Sequence, residues 1–270
     1  MACKDPAVEQ LNKLSYNMVK LPRAGIEPLD VLGRDNKTLN RLGSIVEVWT
    51  SSLPPPTAGA PQPAAAIEGG KTGDLDLGIG LKLLSNALAG LGSVVGLPSL
   101  NLGFKKAKRV QFKFVDVVSV SVTPFALGKY LSAGSLDLSN PFVSHYFDNG
   151  ETQEFIIFEV LKSNAVSITA KDERGTDVDA DINALQSVLT ANVKAKFSSS
   201  SASTIVFEGT TLATFAFKAF EVSYENGKWA LQGARADDEL SFAATVGGSS
   251  VEASELGVLL SPGKALSLRY

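Results

Sequence analysis

Residues 110–122, VQFKFVDVVSVSV, decide the fold class of this chain. Apolar and polar residues alternate along most of this stretch, which is typical of a β-strand with one buried face. The apolar face carries Val110, Phe112, Phe114, Val118, Val120 and Val122. The other face carries Gln111, Lys113, Ser119 and Ser121. We therefore expect one long strand with a bulge at Asp116.

Further strands are expected in the second half of the chain, where apolar runs and alternating patterns recur. The expected strands are residues 155–161, 166–169, 193–197, 204–207, 213–224 and 228–231. Asn226-Gly227 is the strongest hairpin signal. Residues 172–175 predict a turn, and the serines at 198–201 predict a flexible tip.

Helical spacing is expected in three places. Residues 6–18 suit a first helix, and Asp74 can cap a second helix over about 75–91, with Leu77, Leu81, Leu84 and Leu88 on one face. Asp181 can cap a third helix through about Leu189. Together with the strands, these helices predict an α+β fold with a mostly antiparallel sheet edged by helices.

The region before residue 75 carries weaker patterns. Residues 38–47 are weakly amphipathic, and a strand is expected at 46–50. The proline-rich residues 53–66 predict an extended surface segment.

Residues 83–104 carry no charge and are long enough to cross a bilayer. Glycine, proline, serine and asparagine interrupt this stretch, however, and make it a poor continuous helix. We expect instead a short helix, a break and the start of a strand.

The composition excludes several function classes. The chain has 270 residues, 25 Lys+Arg against 28 Asp+Glu, and a formal net charge of -3, which argues against a dedicated nucleic-acid binder. One Cys and one His cannot form an internal disulfide or a Cys/His metal cluster. The amino terminus lacks the pattern of a secretory signal, so we expect a cytoplasmic protein.

The chemical motifs of common enzymes are missing from the sequence. The Gly78-Ile79-Gly80 pair lacks the third glycine of a dinucleotide loop. His145 lies in an aromatic-rich loop or strand, where we expect a packed or hydrogen-bonded structural histidine. The acidic groups at 177–181 and 237–238 fall in turns and caps. We expect a protein without catalytic activity, metal or cofactor.

Two features make sense beside a membrane, although each has an ordinary alternative. Cys3 could carry an acyl chain or be a small buried residue. The basic cluster, Lys105, Lys106, Lys108 and Arg109, could meet anionic headgroups or be a solvated strand end. The amphipathic strands likewise fit either lipid on one side and water on the other, or a half-buried soluble sheet.

Several strings of sequence then point to a family: residues 16–29 (YNMVKLPRAGIEPL), 49–52 (WTSS), 106–112 (KAKRVQF) and 217–220 (FKAF), together with the amino-terminal Cys. In these strings the chain resembles the bacterial gasdermins, nearly from end to end. The resemblance implies a twisted central antiparallel sheet with peripheral helices, which agrees with the class derived from periodicity.

The resemblance also implies a function. A gasdermin of this kind would be a dormant cytoplasmic monomer of anti-phage defence, with a palmitoyl thioester on Cys3. A protease, often caspase-like, would remove a short carboxy-terminal peptide. The released core would insert β-hairpins into the inner membrane lipids and assemble into a large homo-oligomeric pore. The implied division is a pore-forming domain at 1–246 and an autoinhibitory peptide at 247–270.

The tail can be interpreted physically. Small polar residues make the stretch Val246, Gly247, Gly248, Ser249 and Ser250 the expected cleavage region, with Arg235 as a second candidate. Beyond it lie apolar residues that must dock to stay in water: Val258, Leu259, Leu260, Leu266, Leu268 and Tyr270. The tail could also be one more strand of the sheet. A competing function is an acylated adaptor that makes no pore.

For insertion we expect two membrane hairpins, residues 75–122 and 155–220. This assignment requires the helices at 75–91 and 181–189 to refold as strands.

Overall fold

Antiparallel pairing dominates the fold. The structure is a computed structural model that describes residues 11, 15–35, 38–64, 75–147, 152–198, 201–225 and 228–232. Its longer strands are β1 (Asn17–Arg23), β2 (Asp30–Asp35), β3 (Thr38–Ser44), β7 (Arg109–Val115), β8 (Val118–Ser121), β10 (Gln153–Lys171), β11 (Val193–Ser198), β12 (Ser201–Glu225) and β13 (Lys228–Gln232). The short ones are β4 (Trp49–Ser51), β5 (Gln62–Pro63), β6 (Leu75–Asp76) and β9 (Gly134–Leu136).

Short helices lie at the edges of this sheet. They are α1 (Leu77–Gly90), α2 (Leu97–Gly103), α3 (Pro124–Leu131), α4 (Pro141–Phe147) and α5 (Ile182–Gln186). Asp76, Thr123 and Asp181 cap α1, α3 and α5 by accepting a backbone N–H at the helix start.

The two longest strands form the centre of the sheet. β10 and β12 pair antiparallel from Glu154 opposite Val222 to Thr169 opposite Thr204. On one side β10 also pairs with β2, β8 and β7, while β12 pairs with β1, β11 and β13 on the other. Each pairing in the described part of the chain is antiparallel, as the sequence predicts.

A line of irregularities crosses the central strands at one level. Asp116, with a φ of +53°, separates β7 from β8. The register of β10 against β12 shifts between Ser163 and Ala165, so that residues 209–212 of β12 have no partner on β10. The Ser163 hydroxyl donates to the backbone carbonyl of Val115 and so ties the break in β10 to β7. The line divides the sheet into two halves with separate cores.

Several predicted elements are confirmed with different lengths. The expected strand at 110–122 consists of two strands, with the irregularity at Asp116 as predicted. The expected strands at 204–207 and 213–224 are one strand, β12. α1 ends at Gly90, close to the expected Leu91, but its cap is Asp76 and not Asp74, because Leu75 and Asp76 form strand β6. Its face of Leu81, Leu84 and Leu88 is buried. α5 is shorter than predicted.

Two assignments near the amino terminus are wrong. Residues 17 and 18 belong to strand β1, because they pair with Phe217 and Ala216 of β12, and this tertiary pairing outweighs the helical spacing. Leu11 is helical, as predicted, whereas Ser15 and Tyr16 are not. The rest of the predicted helix at 6–18 lies outside the described residues. Residues 38–44 form strand β3 instead of an amphipathic piece, and a 3-10 helix occupies Ile45–Glu47.

Two further assignments need correction. The expected strand start before Phe104 is helix α2, because Pro98 lies in the first turn, where its missing N–H is tolerated. His145 lies on helix α4 and not in a loop or strand. Its ring is exposed and packs edge-on against the Tyr146 ring, with centroids 5.1 Å apart. Asn140 and Pro141 start this helix, since the Asn140 side chain accepts from the Phe142 N–H.

Candidate functional site

Four strand segments form a sheet with one apolar and one polar face, here called the amphipathic sheet. It consists of β7, residues 165–171 of β10, residues 203–208 of β12, and β11. They lie in the order β7, β10, β12, β11 and pair antiparallel throughout. The amphipathic sheet lies on one side of the line of irregularities, and β8 and the first half of β10 lie on the other side.

One face of the amphipathic sheet is buried in a single hydrophobic core. Every second residue belongs to it: Val110, Phe112, Val166, Ile168, Ala170, Val193, Ala195, Ile205 and Phe207. Ile168, Ile205 and Phe207 have no exposed surface. Burial on this scale stabilises the fold through the hydrophobic effect.

The opposite face is polar and reaches solvent. Thr169 and Thr204 face each other with hydroxyl oxygens 2.9 Å apart. Lys196 donates to Glu208 over 2.5 Å, and both side chains are well exposed. Alternation of this kind, apolar on one side and polar on the other, is typical both of a half-buried soluble sheet and of strands that separate lipid from water.

Short helices cover the apolar face in this structure. Leu81, Leu84 and Leu88 of α1, Leu100 of α2 and Leu185 of α5 belong to the same core as the sheet. We call α1, α2 and α5 the helical cover. A bilayer could cover the same apolar face, because hydrocarbon would provide an apolar environment in place of the helices.

The helices α2 and α5 of the cover are held tightly together. The Asp181 N–H donates to the Gly103 carbonyl over 2.9 Å. A Cβ atom at Gly103 would lie 2.3 Å from the Leu185 side chain, which explains the glycine. The cover therefore has little room for added volume at this contact.

The central strands are longer than the roughly 3–10 residues usual in globular proteins. β10 has 19 residues and β12 has 25. A strand needs only about 10 residues to cross a bilayer. The same pair of strands therefore provides enough length for spanning segments.

A polar network holds the segment before β1 against the other half of the sheet. The Tyr16 hydroxyl donates to Glu159 Oε1 over 2.6 Å, and Ser119 donates to the same oxygen over 2.7 Å. Lys218 lies 3.2 Å from Glu159 Oε2 and 4.2 Å from the centre of the Tyr16 ring. Burial and the Glu159 carboxylate raise the pKa of Tyr16, so its hydroxyl remains a donor.

A second acidic group is buried near the start of β10. Glu154 is 5% exposed and accepts from the Thr152 hydroxyl over 2.5 Å. Burial, with a smaller contribution from the nearby Glu221, raises the pKa of Glu154 to about 7 from 4.5.

Comparison with known proteins decides the family. The profile of the Bacterial Gasdermin Family matches residues 19–229. A gasdermin from Vitiosangium sp. is 35% identical over 227 residues, which is 84% of either chain. The chain belongs to the bacterial gasdermin family. A second gasdermin, from a Desulfuromonadales bacterium, is 36% identical over 233 residues and 85% of either chain.

A solved gasdermin structure confirms the fold. The bacterial gasdermin from Bradyrhizobium tropiciagri superimposes with a TM-score of 0.64 at 18% identity, over 85% of this chain and 91% of that one. The predicted α+β gasdermin fold, with a curled antiparallel sheet and peripheral helices, is therefore confirmed. The bacterial gasdermin family is known as a family of pore-forming proteins.

Many of the residues singled out from sequence lie outside the described part of this gasdermin. They are Cys3, Arg235, the region 246–250 and the tail residues Val258, Leu259, Leu260, Leu266 and Leu268. The basic cluster is described: Lys105, Lys106 and Lys108 lie between α2 and β7, Arg109 is the first residue of β7, and all four are exposed. No helix among the described residues is long and apolar enough to cross a membrane.

The polar network was missed by sequence reasoning. A signal for it was present, since Glu159 interrupts the apolar run at 155–161 and Lys218 interrupts that at 213–220. Charged residues in buried strands are usually paired. Their pairing partners could not be identified without the strand register.

Proposed function

We propose that this gasdermin is an autoinhibited pore-former, activated when a protease removes a short carboxy-terminal peptide at about 247–270. The remaining domain, 1–246, then inserts β-hairpins into the bacterial inner membrane and assembles into a homo-oligomeric pore. Before cleavage the protein is a cytoplasmic monomer. Its biological role is to kill an infected cell in defence against phage.

The amphipathic sheet under its helical cover is the observation that supports this proposal best. Within the described residues, short helices cover much of the apolar face of this four-stranded sheet. Lipid can take the place of that cover while the four strands stay paired with one another. The exchange keeps every ladder hydrogen bond, which is the main requirement for a protein backbone in hydrocarbon.

The proposed hairpins are residues 75–122 and 155–220. The first contains α1, α2, β7 and β8, and the second contains β10, α5, β11 and β12. The helices of the cover have 14, 7 and 5 residues. Helices of this length are marginal in isolation, so their helical state depends on packing against the sheet. Once they leave the sheet, they can extend its strands.

The line of irregularities must straighten for the hairpins to become continuous. Individual hydrogen bonds hold this line in the soluble form. One of them is donated by the Asn164 side chain to the Gly209 carbonyl over 3.3 Å. Each is worth about 1 kcal/mol net. Straightening is therefore a small cost beside the burial of whole strands in lipid.

We propose that the carboxy-terminal tail keeps the protein inactive through apolar contacts. The tail beyond 247 carries Val258, Leu259, Leu260, Leu266 and Leu268, and each buried side chain would contribute roughly 1.5–3 kcal/mol. Cleavage removes the tether that makes docking intramolecular. A palmitoyl group on Cys3 would add about 0.8 kcal/mol for each buried CH₂ once it reaches the membrane.

Dye release tests the proposal. Residues 247–250 of the full chain are replaced by the recognition sequence of a site-specific protease, and the protein is cut in the presence of anionic vesicles. We expect leakage only when protein and protease are both present. Uncut protein and protease alone serve as controls.

The adaptor alternative predicts a different result. An acylated binding module would be cut and would stay on the vesicles without releasing dye. Complete cleavage with intact vesicles would therefore reject the pore-forming proposal and favour the adaptor.

A further inference from the structure

We propose that residues 77–108 form the first membrane hairpin by continuing the ladder between β6 and β7 in its present register, with Gly92 and Ser93 as the turn at the tip. The first arm is then residues 77–91 and the second arm is residues 94–108. The inference rests on the proposed function, because it assigns the side of the first hairpin that meets lipid. It adds a register, a turn and a face for each residue, none of which follows from the hairpin boundaries alone.

The register is set in the soluble form, where β6 meets β7. The two strands pair antiparallel, with Leu75 opposite Val110. The ladder reaches as far as Leu77, whose N–H donates to the Lys108 carbonyl over 3.0 Å. It stops there because helix α1 begins at Leu77. Residues released from α1 and α2 can therefore join an existing ladder and need no new alignment.

The continued ladder closes at a two-residue turn. Each step moves one residue forward on the first arm and one residue back on the second, so Leu91 comes opposite Val94. Gly92 and Ser93 remain between the arms. A two-residue hairpin loop with glycine first is typical of a type II′ turn, which needs a positive φ at that glycine. Gly92 already has a φ of +100° in the soluble form.

The alternation of hydrogen bonds leads to the same turn. Bonded and non-bonded pairs alternate along an antiparallel ladder, and the bond from Leu77 to Lys108 marks a bonded position. The second bond of this pair is replaced in the soluble form, where the Lys108 N–H donates to the Lys171 carbonyl over 2.8 Å. Every second pair from there is bonded, and the last one is Leu91 with Val94. A tight turn requires this bond between its first and fourth residues.

The polar residues of the two arms fall on one side of the continued ladder. Leu75 lies opposite Val110, which is buried in the core, so odd residues of the first arm and even residues of the second continue the apolar face. On the opposite face lie the polar residues of 75–104, with one exception: Asp76, Lys82, Asn86, Ser99 and Asn101. The exception is Ser85. A helical period at α1 thus conceals a two-residue period that suits a strand with one face in lipid.

The charges of the arms also fit a spanning hairpin. About 10 residues of each arm are needed to cross the hydrocarbon. Counted from the turn, these are residues 82–91 and 94–103. Lys82 is the charged residue of these two ranges, and it lies at the end of its span and on the polar face. Lys106 and Lys108 continue the apolar face of the second arm but lie beyond the span.

The continued ladder lacks one hydrogen bond, at Pro98. This residue comes opposite Ala87 at a bonded position, and proline has no N–H to donate to the Ala87 carbonyl. Leu88 and Leu97 lie on the polar face, where they come opposite each other and can pack together across the ladder. Pro98→Ala supplies the missing donor and should therefore increase the leakage rate of the cleaved protein about twofold or more.

Neighbouring residues of α2 provide a matched test, because the soluble form treats them alike. Asn101 and Leu102 are both exposed on this helix. Pro98 is exposed and Ser99 is half-buried in its first turn. In the continued ladder, however, Leu102 and Pro98 face lipid, whereas Asn101 and Ser99 lie on the polar face. A carboxylate should therefore be tolerated at one residue of each pair and not at its neighbour.

Dye release from anionic vesicles by the cleaved chain, with the protease site placed at 247–250, compares these positions. Leu102→Asp should slow leakage about tenfold or more, because it places a carboxylate in hydrocarbon, whereas Asn101→Asp should change the rate less than about twofold. Pro98→Asp, referred to Pro98→Ala, should slow leakage like Leu102→Asp, and Ser99→Asp should not. Thermal melts of the uncut variants check that each one folds like the parent.

Disulfide formation tests the register itself. Asn86 comes opposite Ser99 at a non-bonded pair, where the Cα atoms are close enough for a disulfide. Asn86→Cys with Ser99→Cys should therefore cross-link under mild oxidation in the cleaved protein on vesicles. Asn86→Cys with Asn101→Cys is the control shifted by two residues and should cross-link about fivefold more slowly. Mass spectrometry of the peptides distinguishes both products from any disulfide of Cys3.

The inference is overturned if Asn101→Asp and Leu102→Asp slow leakage equally, or if the shifted pair cross-links faster than Asn86 with Ser99. Either result, obtained with a parent that leaks, would reject the register and leave the pore standing. A cleaved parent that releases no dye would reject the pore. The disulfide between positions 86 and 99, formed on vesicles without leakage, would still support the register.

Discussion

The Tyr16 hydroxyl donates a hydrogen bond to Glu159 Oε1 over 2.6 Å and so joins residues 143 positions apart. Glu159 lies on β10, in the centre of the sheet, whereas Tyr16 precedes β1. The contact therefore ties the amino-terminal segment to a strand of the proposed second hairpin.

Replacing Tyr16 by Phe should lower the free energy of unfolding by about 1–3 kcal/mol, because the half-buried Glu159 carboxylate loses one donor. Chemical denaturation measures this change. Ser119→Ala removes the other hydroxyl on the same oxygen.

The double variant checks the coupling, and the two losses should not add, since both donors serve one oxygen. Additive losses would mean that the hydroxyls act independently, contrary to the network described here.

Gly103→Ala should destabilise the soluble form by about 1–3 kcal/mol, because the new methyl group overlaps the Leu185 side chain. A loosened contact between α2 and α5 should also shorten the lag before leakage in the cleaved protein. Gly128→Ala is the control, since nothing lies within 4 Å of the added methyl group.

That control should be neutral or should stabilise helix α3 by up to about 1 kcal/mol. Equal thermal unfolding of the two alanine variants would show that the helical cover is not tightly packed at Gly103.

Glu154 should make stability depend on pH. Its pKa is about 7 in the folded chain and 4.5 ordinarily, so between these values the folded state holds more protons than the unfolded state. Stability should therefore fall as the pH rises from about 4.5 to about 7, and should stay low above that range.

Glu154→Gln should flatten this dependence and should stabilise the protein by about 1–2 kcal/mol at pH 8, because the amide carries no charge to bury. Thermal melts at pH 5 and pH 8 measure both effects. A variant that is no more stable than the parent at pH 8 would contradict the assignment.

A charge on the proposed first hairpin should block leakage. Val118 lies on β8 and is half-buried, so Val118→Asp should leave the soluble fold intact while placing a carboxylate in the membrane. Leu83 on α1 is the second position for the same test. Val46→Asp, 42% exposed and outside both hairpins, is the control and should leak like the parent.

Unimpaired leakage by folded Val118→Asp would show that residues 75–122 do not span the membrane as proposed.

The sheet was predictable from sequence because its strands carry the two-residue period. The stretch at 110–122 gave the right element, and even its irregularity at Asp116 is observed. The hairpin predicted at Asn226-Gly227 is confirmed, because β12 and β13 pair antiparallel with Glu225 opposite Lys228. Turn chemistry and periodicity are local, so one sequence is enough to show them.

The elements that were missed depend on distant contacts. Residues 17 and 18 adopt a strand because β12 lies beside them, about 200 positions later in the chain. Helix α2 stands where a strand start is expected, because Pro98 lies in the first turn of the helix and does not interrupt it.

The exposure of Val94 and Leu102 needed the structure for a similar reason. Their outward direction depends on what Ser93, Val95 and Gly103 contact.

The central claim is that the helical cover leaves the apolar face of the amphipathic sheet and is replaced by lipid. Infrared and circular dichroism spectra of the cleaved protein on anionic vesicles, recorded during dye release, test it most directly. We predict that helical signal falls and strand signal rises with the same time course as leakage, because α1, α2 and α5 extend the hairpins. Full leakage with an unchanged helical signal would contradict the account.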